Sequence, residues 1–200
     1  MIEHGRLPWP SPDGLSADAQ NVYEAIAGGP RAAGPQYFQL TGPDGRLEGP
    51  FNAMVVAPSV GGPLQELGSA IRYRTQLTDR CRELAILAVA ADARSDFEWY
   101  AHEPIARAAG ISDEDLHAVR EGREPPGLDH TEALVWHATR ALVSSRGLDA
   151  ILYSEYRDRL GDSTLVELVV LVGYYQTLDL MLRAFQTPLP DGVGRPFEGT

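Results

Sequence analysis

One cysteine, Cys81, stands in a chain of 200 residues. A lone thiol closes no disulfide within the chain and builds no cysteine-ligated structural zinc site. Long apolar runs are missing too. No stretch approaches the about 18 uninterrupted apolar residues of a membrane span, because Glu167, Gln176, Asp179 and Arg183 break up the last apolar segment. Positive charge is scarce: 17 Lys and Arg face 28 Asp and Glu, a formal net charge of -11. Such a chain repels a nucleic-acid backbone or an anionic membrane, so neither is an expected partner. Arg72, Arg74, Arg80 and Arg82 do cluster in sequence, a pattern that fits inter-helix ion pairing or the binding of a small anion. Met1 to Pro12 shows no basic start followed by an apolar centre, so a cytoplasmic protein without a secretory signal is expected.

The rest is rich in helix signals. Ser16 is placed to cap a helix running to Ala27, which Gly28-Gly29-Pro30 ends, and Gly42-Pro43-Asp44-Gly45 suggests a small hairpin or ordered loop between Pro35 and Pro50. Helices are then expected near Phe51 to Val56, from Val60 or Leu64 to Arg74, and from Asp79 to Ala93 after Thr78. Ser95-Asp96-Phe97-Glu98 has capping-box spacing for a helix to about Ala109. Ser112 opens one to about Glu121, Asp129 one to Ser144, and two more span about Asp149 to Leu160 and Ser163 to Phe185 with Gly161 between them. The expectation is one all-α structural domain. Residues 1–50 form an N-terminal arm with one helix and a hairpin or loop, packed on a helical domain over 51–200.

Glu83 lies in an apolar helix, and Glu98 and His102 lie one turn apart in the next. Residues four apart share a helix face, so this carboxylate and imidazole can tune each other, and Glu83 in the same pocket would make a coupled acid-base set. A structural reading leads on spacing alone, with Ser95 and Glu98 capping the helix, His102 packed in the core and Glu83 paired with Arg80 or another arginine. Glu83-Leu84-Ala85-Ile86-Leu87 is echoed by Glu167-Leu168-Val169-Val170-Leu171. The same offsets from Glu167 reach Leu182 and Gln186, so the polar pair belongs to one half.

Glu83 to Ala90, Phe97-Glu98-Trp99-Tyr100-Ala101-His102 and Ala108-Ala109-Gly110-Ile111-Ser112 resemble the core signature of the carboxymuconolactone decarboxylase and alkylhydroperoxidase D-like superfamily. Gly49-Pro50-Phe51-Asn52-Ala53-Met54, Leu67-Gly68, Gly173-Tyr174-Tyr175 and Pro188-Leu189-Pro190 are similar to its longer members. The resemblance implies an orthogonal helical bundle and a homo-oligomer, a trimer or hexamer. In the thiol peroxidase branch a Cys-x-x-Cys pair opens the helix; here Ser95 and Glu98 occupy those places, while Glu83 and His102 match the branch's glutamate and histidine. Neither replacement supplies a thiolate or a resolving thiol. The decarboxylase branch implies cofactor-free and metal-free loss of carbon dioxide from a lactone acid, with Glu98 or His102 protonating the dienolate. On that reading Glu83, Glu98 and His102 are catalytic, and Arg72, Arg74, Trp99, Tyr100 and Ser95 contact a small organic acid. A non-catalytic small-molecule-binding oligomer is the alternative, and an alkylhydroperoxidase-type antioxidant is disfavoured.

Overall fold

The computed structural model describes residues 3–33 and 35–198. Its first segment is not a simple extended arm. Strands β1 (Glu3–His4) and β2 (Leu7–Pro8) pair antiparallel around Gly5, which sits at a positive φ of 67°. Between them the backbone N–H of Arg6 donates to the Phe185 carbonyl at 2.7 Å and its guanidinium to the Ala184 carbonyl at 3.1 Å. The arm therefore clips onto carbonyls that the end of the last helix leaves without intrahelical partners.

Helices α1 (Ala17–Ala27), α2 (Pro30–Ala33), α3 (Pro50–Val56) and α4 (Pro58–Tyr73) follow. The predicted caps hold where the side chains can reach: Ser16 accepts from the Ala19 amide, as Thr78 does from Cys81 at the start of α5 (Asp79–Ala93). Helix α4 starts earlier than expected, because Pro58 lies in its first turn, where a missing N–H costs nothing. Between α2 and α3 a single antiparallel bridge, Thr41 to Leu47, ties the expected loop.

Helix α5 is apolar all round, and every residue from Cys81 to Ala91 is buried. It packs against α6 (Asp96–Ala108), α7 (Asp113–Arg120), α8 (His130–Ser145) and α9 (Ala150–Phe185). Gly161, at φ 77° and ψ 161°, breaks α9 where the sequence places a stop. By length and composition α9 could cross a membrane, yet Leu165, Leu168, Leu171, Tyr174 and Leu178 line the main core. It reads as a core helix. Because α5 is central, a polar residue on it opens onto the helices packed around it, and Glu83 does so between α6 and α9.

Candidate functional site

Glu83, 1% exposed, reaches across to α6, where its Oε2 lies 2.7 Å from His102 Nδ1. A carboxylate at that distance accepts a hydrogen bond from Nδ1–H and fixes the tautomer, leaving Nε2 as the acceptor of the neutral ring. Nε2 faces two groups: the hydroxyl of Tyr175 on α9 at 3.3 Å and Glu98 Oε2 at 3.7 Å. Burial, reinforced by the charges of Glu83 and Glu98, pushes the Tyr175 phenol well above its usual value, so it stays protonated and can donate to Nε2.

Glu98 departs from the capping expectation. Ser95 makes no side-chain cap hydrogen bond, and the Glu98 carboxyl turns away from it toward His102. Burial, 3% exposed, is the reason: packing against α5 and α9 outweighs the local turn. Glu98 Oε1 is buried with no hydrogen-bond partner among the described residues. Desolvation drives this carboxyl up to about 7, with Asp179 and Glu83 adding and the His102 charge opposing. Near neutrality it is thus divided between acid and carboxylate.

Glu98, His102 and Tyr175 border a cavity of about 30 Å³, lined also by Arg31, Arg72 and Tyr174, with Glu83 behind His102. That volume admits roughly two waters. Arg72, near the end of α4, forms no ion pair within 4 Å among the described residues, and none links it to Glu66. Arg31, on α2, was not singled out from sequence. Its guanidinium donates to Gln65 at 3.1 Å and lies over the Phe51 ring at 5.5 Å. Gly68 permits this approach, since a Cβ there would meet the Tyr174 hydroxyl at 2.1 Å.

Other sequence candidates lie elsewhere. Trp99 faces the second core cluster, edge-on to Phe197, with Nε1 donating to Glu103. The Tyr100 hydroxyl accepts from the Gln39 amide at 3.1 Å. Arg74 is exposed at the end of α4, and Ser95 opens onto a separate groove. None of the four lines the cavity, because the helical turn that aims Glu98 and His102 inward aims Trp99 and Tyr100 to other sides. Arg80 pairs with Glu132 rather than Glu83; Arg82 Nε approaches Glu83 Oε1 at 3.6 Å. Cys81 is 3% exposed and its thiol is pushed up by burial.

Residues 58–142 match the Carboxymuconolactone decarboxylase family model. A search of curated proteins gives no match. Among solved structures, an AhpD-core peroxidase-related protein from Ralstonia eutropha JMP134 superposes with a TM-score of 0.71 at 14% identity, covering 96% of this chain and 95% of that one. A peroxidase-related protein from Silicibacter sp. TM1040 gives 0.70 at 13% identity, covering 95% and 94%. A protein of unknown function from Agrobacterium tumefaciens, suggested as an AhpD antioxidant defence protein, gives 0.62 at 18% identity, covering 70% of this chain and 96% of that one. Part of the chain is thus similar to the carboxymuconolactone decarboxylase family, its fold is that of the AhpD-like structures, and its sequence has no Cys-x-x-Cys pair.

Proposed function

We propose that this protein is a cofactor-free proton-transfer enzyme of the lyase type, acting on a small organic acid or lactone. The observation that carries the proposal is the buried Glu98 carboxyl, whose Oε1 has no hydrogen-bond partner among the described residues, beside a histidine whose far nitrogen is held by Glu83. In the forward direction the substrate's carbon–carboxylate bond breaks, carbon dioxide leaves, and the electron pair enters the conjugated lactone as a dienolate. Glu98 then donates its proton to carbon, and a proton from solvent restores it while His102 Nε2 faces the carboxylate left behind. Such general acid catalysis contributes about 10²- to 10⁴-fold. Arg72 and Arg31 are suited to the developing enolate oxygen, where fixed positive charge in a dry site acts most strongly. To admit a lactone ring the lining must part. Phe38, carried by the exposed strap of residues 36–39, is a half-buried part of that lining.

The small cavity favours one second reading, a binding protein in which the acid-base set holds a ligand without chemistry. A thiol peroxidase has less support, since Cys81 is buried on α5 and no second cysteine exists. The same reading takes the protein as a homo-oligomer, with the outer apolar stripe of α9 as its contact.

The test uses unsaturated γ-lactone carboxylic acids in deuterated water, following carbon dioxide release and deuterium entry at carbon by NMR. Turnover by the wild type, reduced by about 100-fold or more in Glu98→Gln and His102→Ala, is the expected result. Binding without carbon dioxide release or exchange would leave the binding reading in its place.

A further inference from the structure

The hydroxyl of Ser95, a residue 6% exposed, is left without a hydrogen-bond partner among the described residues by the misfit of the capping box. It lines a groove of about 690 Å³ that lies across the Phe97 ring from the cavity. Four features of this groove converge. Helix α6 begins here, and its first turn offers free donors: the first helical hydrogen bond runs from the Trp99 amide to the Ser95 carbonyl at 3.0 Å. The amides of Asp96, Phe97 and Glu98 have no acceptor among the described residues. The aligned peptides of a 13-residue helix put partial positive charge at the same place. Arg195, exposed in the C-terminal tail, stands on the groove wall.

Both acidic groups of the groove wall have partners. The Asp96 carboxylate accepts the Phe197 amide at 3.0 Å. Asp179 accepts Arg183 Nε through both oxygens, at 2.9 and 3.0 Å. At the end of α9 that borders the groove, the carbonyls of Leu182, Arg183, Ala184 and Phe185 are likewise taken, by Thr187, Gln186 and Arg6. What remains is a set of first-turn donors beside Arg195, whose side chain makes no hydrogen bond or ion pair among the described residues, in a chain of net charge -11.

We propose that this groove is an oxyanion-binding site, taking the carboxylate or phosphate group of a small molecule on the Ser95 hydroxyl, the first-turn amides of α6 and Arg195. The volume suits a ligand of metabolite size. Helix N-termini hold such anions by backbone N–H groups and dipole together. The site does not depend on the proposed lyase reaction and lies outside its cavity.

The test is a titration of the full ¹⁵N-labelled chain with inorganic phosphate, with acetate and with chloride at matched ionic strength. Expected are saturable shifts of the Asp96, Phe97 and Glu98 amides with phosphate or acetate but not chloride; the tighter of the two names the ligand class. Ser95→Ala and Arg195→Ala should each weaken this binding at least about three-fold, the loss of one charge-assisted hydrogen bond, while Arg72→Ala in the neighbouring cavity leaves it unchanged. The rest of each variant's spectrum reports that it is folded. Non-saturating shifts, an equal response to chloride, or loss of binding in Arg72→Ala would overturn the proposal.

Discussion

Glu98 and His102 share one helix face and respond oppositely to removal. Glu98 is raised from 4.5 to about 7 in the folded chain, so the folded state holds its proton more tightly than the unfolded state. Its stabilising effect is present below about 4.5 and is lost as pH rises through about 7; a difference of that size corresponds to about 3 kcal/mol. Glu98→Gln, which removes the ionisation and keeps the shape, should therefore stabilise the protein at pH 8 by up to about 3 kcal/mol. The gain should vanish near pH 4, as read by urea unfolding of both forms. His102→Ala acts the other way. It strips the close partner from buried Glu83, leaving Arg82 Nε at 3.6 Å, and should cost about 3–5 kcal/mol. The sequence showed that Glu83, Glu98 and His102 belong together, by helix spacing and by resemblance. It hid the direction Glu98 takes, since Ser95-x-x-Glu98 is a sound local cap, and only burial under α5 and α9 decides against it. Arg31 and Tyr175 were hidden for another reason: they lie about seventy residues from His102 on either side, and no local pattern links them.

At the scale of elements, capping chemistry made most of the helices legible. Asp129 and Glu132 form a full capping box at α8, and Asp149 caps α9 through the Ile151 and Leu152 amides. What local signals missed were elements held by partners far along the chain. The β1–β2 hairpin depends on the end of α9, and α4 runs through Pro63, which reads as a breaker. Two glycines separate backbone from packing. Gly161, at φ 77°, has open space where a Cβ would stand, so Gly161→Ala should cost only the backbone strain of about 1–3 kcal/mol. Gly49, at φ 58°, also lies against the Phe97 ring, 2.1 Å from a would-be Cβ. Gly49→Ala should lose clearly more stability than Gly161→Ala in parallel thermal unfolding, and should disturb Phe97 between cavity and groove.

For the whole molecule, α9 presents two faces. One builds the core. The other exposes Val166 at 62%, Val169 at 44% and Leu180 at 67%, with Gly173 open beside them. An apolar stripe of this kind is costly in water and suits contact with a second copy. Light scattering should give a multiple of the 21.8 kDa chain mass, and Val169→Arg should shift it toward the single chain.

Proton transfer by a buried acid is the centre of the account, and the titration of Glu98 tests it most directly. Selective ¹³C labelling of glutamate carboxyls, with Glu98→Gln to assign the resonance, would follow this group from pH 4 to 9. The account predicts a midpoint near 7, as burial dictates. A Glu98 that titrates at the ordinary carboxylate value would contradict it.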